Sequence, residues 1–105
     1  MILYPRYFPV AGFTPLPNLM FIRKNCRDNK PLHIHEEVHQ RQMVEDGVLK
    51  FWIKYLFCPN CRLKYEVEAY RAQIAAGASL DSCAAHLSGM YYLNIDFEQA
   101  RCLLR

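Results

Sequence analysis

Between Pro31 and Gly47 the chain runs from Leu32 to Asp46 without a proline or a glycine. Proline in the first turn and glycine just past the end are ordinary helix punctuation. Proline's missing N–H has no partner at that position anyway, and glycine enters the left-handed region without a Cβ penalty. The spacing predicts a helix over Leu32–Asp46, capped by Asp28 or Asn29. Everything else in the chain has to pack around this segment, whose sequence is dense in histidine and glutamate.

The rest can be read against it. Residues 1–20 contain Pro5, Pro9, Pro15 and Pro17 and read as extended, irregular chain, with one short strand at Ile2–Tyr4. Asn18–Arg23, apolar and β-branched after Pro17, predicts a second strand. Val48–Phe57 is strongly apolar with two lysines four apart and predicts a largely buried second helix. Cys58-Pro-Asn-Cys61 breaks it. A third helix follows over Arg62–Ala76 and stops at Gly77. Ser79 caps a fourth that ends near Gly89, with Ser82 where a capping box would place Glu or Gln. Asp96 caps a short fifth. The expected fold class is α+β and mostly helical, a short N-terminal strand element followed by about five helices. It is read as a single domain over residues 1–105. Residues 1–30 form the extended and strand segment, 31–77 the helices richest in histidine and glutamate, and 78–105 the C-terminal helices.

Composition narrows the function classes. Hydrophobic residues make up 52% and charged residues 22% of 105, which suits one globular domain and excludes a disordered tail. No apolar run approaches the ~18 residues of a membrane span. The start, MILYPRYFPVAGF, lacks a basic n-region and is interrupted by Pro5 and Pro9, so it makes a poor signal peptide. The expected location is cytoplasmic, with no membrane partner. A net charge of +3 is too mild to argue for nucleic acid. Arg23, Lys24, Arg27 and Lys30 accordingly read as a solvated basic loop. Five cysteines, an odd number, argue against a disulfide framework. Cys58 and Cys61 read as a helix-breaking turn with two small thiols, or a local disulfide. A four-cysteine zinc site would need a second pair, and none exists.

The chemistry concentrates in His35-Glu36-Glu37-Val38-His39, an H-E-x-x-H pattern. Residues four apart lie one turn apart on the same helix face. Two imidazoles so placed can bind one Zn²⁺ at ~2.0–2.1 Å each. Glu36, between them, can hydrogen-bond a metal-bound water and act as its base. From this chain's own His and Glu content the pattern is expected by accident about 0.01 times. A catalytic zinc needs a third protein ligand and an open position. Tyr65-Glu66-Val67-Glu68-Ala69-Tyr70-Arg71 offers it. Glu66 and Glu68 point to nearly opposite sides of a helix, so only one can face the metal. Tyr70 shares the face of Glu66. Glu68 shares a face with Arg71 and suits solvent.

His35-Glu36-x-x-His39 followed by Glu66-x-Glu68-Ala69 resembles the gluzincin group of zinc metallopeptidases. His39-x-x-Gln42 is similar to the HExxHxxQ form of small bacterial and phage proteins of this type. The resemblance covers roughly residues 20–77. It implies a minimal zincin-like domain with Zn²⁺ held by His35, His39 and Glu66, Glu36 as general base, and a peptide or protein as substrate. A phage-encoded member would suit association with a virion. Many gluzincins place Asp four residues after the ligand Glu, as partner to a ligating His; here that place is Tyr70. Tyr70, His33, Gln42 and His86 are the candidates for supporting a ligand or stabilising an oxyanion, with Tyr91 and Tyr92 as further phenols for the latter. The substrate-binding sheet edge of larger members would fall to Leu19–Arg23.

The blander expectations are equally definite. Phe51, Trp52, Tyr55 and Leu56 read as core packing, and His86 as an ordinary packed or exposed histidine. A non-catalytic protein that keeps zinc as a structural staple is the alternative to the enzyme, since a domain this small gains from a metal. The apolar load of so short a chain suits an oligomer or a larger partner, and the sequence selects neither.

Overall fold

A computed structural model describes all of residues 1–105. The fold is α+β and mostly helical, with a small three-stranded sheet ahead of five helices. The strands are β1 (Ile2–Leu3), β2 (Gly12–Leu16) and β3 (Leu19–Ile22). A single 3₁₀ turn, Lys24–Cys26, leads to α1 (Lys30–Asp46), α2 (Val48–Phe57), α3 (Pro59–Ala75), α4 (Leu80–Met90) and α5 (Phe97–Leu104). No helix is long and apolar enough to cross a membrane.

The sheet order is β1-β3-β2. β1 runs parallel to β3 with Ile2 opposite Met20, and β2 runs antiparallel to it with Phe13 opposite Phe21. Pro17 and Asn18 make the tight turn between β2 and β3. The segment expected at the sheet edge, Leu19–Arg23, therefore supplies the central strand. The two edges are β1 and β2, and β2 forms where irregular chain is expected from the sequence. Pro15 lies inside β2, where its missing N–H is tolerated because an edge strand has one unpaired side, and the register slips between Phe13 and Leu16. Side chains alternate across the sheet. Met20 and Ile22 are buried with Leu32 of α1, while Phe21 and the still exposed Phe13 stack with Phe8 of the preceding chain, with ring centroids 5.3 and 6.3 Å away.

Helix ends follow the expected chemistry closely. Asn29 caps α1, its side chain accepting from Leu32 N at 3.1 Å, and Pro31 sits in the first turn. Gly47, at φ 87°, ends α1 and begins α2. Residues 58–61 do break the helical run, yet α3 already starts at Pro59 rather than at Arg62. Cys58 is its cap, its Sγ accepting from Cys61 N at 3.2 Å, and proline suits the first helical turn. All five cysteines are free thiols. Gly77 follows α3 at φ 113°. Ser79 caps α4 through Ser82 N, and α4 runs one residue past Gly89. Asp96 and Gln99 form a complete capping box at α5.

The main apolar core joins α3, α4 and α5 through Tyr70, Cys83, Ala84, Leu87, Ala100 and Leu104. The small cluster of Met20, Ile22 and Leu32 lies between sheet and α1. Away from these two clusters, polar side chains from α1 and α3 are buried as well: His35, Glu36, His39, Gln42 and Glu66. Burial of so many polar groups is costly unless each is matched by a partner.

Candidate metal centre

Three ligand atoms converge at the α1–α3 contact. His35 Nε2 and His39 Nε2 stand 3.2 Å apart. Glu66 Oε1 lies 3.1 Å from the first and 3.2 Å from the second. Four tetrahedral ligands held at ~2.0–2.1 Å from zinc stand about 3.3–3.4 Å from one another, so the triangle already has nearly the required size. Glu66 Oε1 is buried and, although close to both imidazoles, lacks hydrogen-bond geometry to either. Its lone pairs and those of the two nitrogens share a common target. The site fits a metal ion bound by two nitrogens and one oxygen. No other group of histidine, cysteine or carboxylate side chains in the chain does so.

The electrostatics agree. Burial alone would push Glu66 up and His39 down. Their mutual attraction overrides it. Glu66 is held well below the usual carboxylate range by His39 and His35. His39 is pushed up to about 9 by Glu66, with smaller help from Glu36 and Gln42. In the metal-free protein the pair is ionic, and a bound cation would replace the imidazole proton.

Two of the three ligands, His39 and Glu66, are held from behind. His39 Nδ1 meets Gln42 Oε1 at 2.9 Å. Gln42 Nε2 donates to Glu68 Oε1 at 2.7 Å and to Tyr65 O at 3.1 Å, which fixes the amide with its oxygen toward the imidazole. Glu68, exposed to solvent as expected, also takes Arg41, which links it to α1. Tyr55 donates its O–H to Glu66 Oε2. His35 has no such support: its Nδ1 is buried without a partner.

Glu36 is buried beside the triangle, with Oε2 3.9 Å from His35 Nε2. Thr14 Oγ1 of β2 donates to Glu36 Oε1 at 2.8 Å. The strand passes so close that only glycine fits at position 12 without displacing the carboxylate.

The remaining candidates are placed as follows. Tyr70 packs edge-on against the His35 ring, centroids 4.3 Å apart, but its hydroxyl pairs with Tyr91 at 2.6 Å rather than with an imidazole nitrogen. His33 turns away: its Nε2 contacts Arg27 O at 2.9 Å, and its ring lies 6.2 Å from that of Tyr4. A helix places residue 33 well round from residue 35, which explains the divergence. His86, Tyr91 and Tyr92 line the open cavity over the site, a volume of about 740 Å³. Arg62 holds that wall in place by donating to Tyr91 O at 2.8 Å and Tyr55 O at 2.7 Å. Of the basic loop, Arg27 stacks over Tyr4 and Arg23 donates to Phe8 O.

Sequence reasoning missed three residues. Gly12 and Thr14 carry no local signal, because their role depends on a strand meeting a helix more than twenty residues away. Tyr55 was readable only as packing. A buried phenol needs a hydrogen-bond partner, and that requirement was the one available hint. Comparison with known protein families, with curated proteins and with solved structures finds no match for this chain.

Proposed function

We propose that the chain is a zinc-dependent, gluzincin-type hydrolase that cleaves a peptide bond in a peptide or protein. The observation supporting this reading is the convergence of His35 Nε2, His39 Nε2 and Glu66 Oε1 to within 3.2 Å of one another beside a separately held carboxylate, Glu36. Two nitrogens and one carboxylate oxygen in a site of tetrahedral size suit zinc. Bound there, zinc would lower the pKa of a water to about 7 and polarise a carbonyl. The chain's own residues then divide the work. Glu36 takes the proton of the attacking water and hands it to the leaving amine. Thr14 and Gly12 keep Glu36 aimed into the cavity. Of the two outer strands, β2 is the one that lies along the cavity, so an extended peptide can add to it by main-chain hydrogen bonds. The phenols of Tyr91 and Tyr92 and the His86 imidazole stand in the cavity wall as oxyanion donors.

The test is elemental analysis of protein purified without added metal, followed by a quenched-fluorescence peptide screen. One zinc per chain, lost in His35→Ala and kept in Cys58→Ala, is expected. Glu36→Gln should keep the zinc and lose hydrolysis. Zinc retained in a wild type that cleaves no peptide would favour the structural-staple alternative. Iron in place of zinc would redirect the search to oxygen chemistry, which also uses two histidines and one carboxylate.

A further inference from the structure

Glu66 has two oxygens, and they have different neighbours. Oε1 faces the two imidazoles at 3.1 and 3.2 Å. Oε2 receives the Tyr55 hydroxyl. A carboxylate can ligate a metal through one oxygen or through both. The choice matters, because a catalytic site needs three protein ligand atoms and an open fourth position. Bidentate Glu66 would add a fourth protein atom and crowd the position beside Glu36.

Tyr55 is well placed to decide this. It projects from α2, whereas the metal ligands come from α1 and α3. Its ring is held on three sides. Phe51 stacks on it at 5.6 Å and 23°, Trp52 meets it edge-on at 5.4 Å, and the His39 ring stands at 6.4 Å and 88°. Arg62 anchors the Tyr55 carbonyl at 2.7 Å. A side chain so confined cannot swing its hydroxyl away to let Oε2 turn toward the metal. Replacing it by phenylalanine would remove one oxygen and leave the packing in place.

We propose that Tyr55 is a positioning residue that restricts Glu66 to single-oxygen ligation and so keeps the metal's fourth position open toward Glu36. This rests on the metal-site reading above and extends it to a residue on a third helix.

The experiment loads the full chain with cobalt(II) and compares wild type, Tyr55→Phe and Phe51→Leu by visible absorption, with metal affinity measured against a competing chelator. Wild type should show the intense bands of a four-coordinate ion. Tyr55→Phe should show weakened, shifted bands as the coordination number rises, and an affinity changed about tenfold, the lower end of what outer-shell partners contribute. Phe51→Leu loosens the same aromatic packing but keeps the hydroxyl, so its bands should stay four-coordinate. Identical spectra and affinities in wild type and Tyr55→Phe would overturn the role of Tyr55 while leaving the metal site standing. X-ray absorption of zinc-loaded wild type gives a reading without any variant: both oxygens of Glu66 at ligand distance would overturn the proposal. A wild type that takes up no metal would overturn it together with the reading beneath it.

Discussion

A methyl group at position 12 would lie 3.0 Å from Glu36 Oε2, so β2 and the Glu36 carboxylate are packed to the limit that glycine permits. Gly12→Ala should therefore displace Glu36 and leave the metal triangle on the α1–α3 contact untouched. Overpacking of this kind costs about 1–3 kcal/mol, and the carboxylate has to give way by a few tenths of an ångström. On the proposed reading, the expected result is full zinc content, a modestly lower denaturant midpoint and reduced peptide hydrolysis. Loss of zinc in this variant would contradict the separation of the two sites.

Thr14 tests the same carboxylate by hydrogen bonding rather than by space. Its hydroxyl is the one donor recorded on Glu36, at 2.8 Å in a buried setting. Thr14→Val keeps the shape and removes the donor. A buried group left without its partner costs about 1–3 kcal/mol. Chemical denaturation should show a loss in that range. Thr14→Ser, which keeps a hydroxyl, should recover most of it. Undiminished stability in Thr14→Val would remove the hydrogen bond to Glu36 from the account.

Gln42 joins α1 to α3 through the metal site. Its Oε1 accepts from His39 Nδ1, and its Nε2 donates to Glu68 Oε1 and to Tyr65 O. Gln42→Leu would leave the His39 imidazole free to rotate and Glu68 with Arg41 alone. Outer partners of ligating histidines are worth about 10–100-fold in metal affinity. Zinc affinity should fall by that factor. Glu68→Gln should lower it less, because Gln42 retains its bond to the Tyr65 carbonyl. An unchanged affinity in Gln42→Leu would remove Gln42 from the site's support.

The parts of this arrangement that the sequence disclosed are those with local causes. Pro31, Gly47, Gly77, Ser79 and Asp96 mark helix ends through their own backbone preferences, and the structure ends its helices beside them. His35 and His39 share a face by helical spacing alone. Glu66 against Glu68 was a choice between opposite faces of α3, and Glu66 is the one that meets the imidazoles. What escaped the reading was tertiary. Gly12 and Pro15 look like strand breakers, yet β2 exists because it is an edge and has to pass a buried carboxylate closely. Val48–Phe57 is apolar on nearly every side, so nothing local separates Tyr55 from its packing neighbours. Glu68 does point away from Glu66, but Arg41 and Gln42 of α1 reach round to meet it. His33 had the right residue type near the motif and the wrong angle on the helix.

The proton on His39 gives the last prediction and fixes its sign. In the metal-free fold Glu66 raises His39 from an ordinary 6.5 to about 9. A raised imidazole contributes stability that is fully present below its unfolded value, near 6.5, and is lost as pH rises through about 9. The metal-free protein should therefore lose stability between these two values, as followed by denaturant midpoint. Metal binding must behave in the opposite way, because the cation has to displace that proton. Below about 9 the apparent zinc affinity should climb with pH, by about tenfold per unit for one displaced proton. Competition with a chelator of known proton affinity, measured across neutral pH, reads this slope directly, and calorimetry in buffers of different ionisation enthalpy counts the proton released. A flat affinity profile with no proton release would mean that His39 is already neutral, and that Glu66 does not hold its charge in the way the 3.2 Å contact implies.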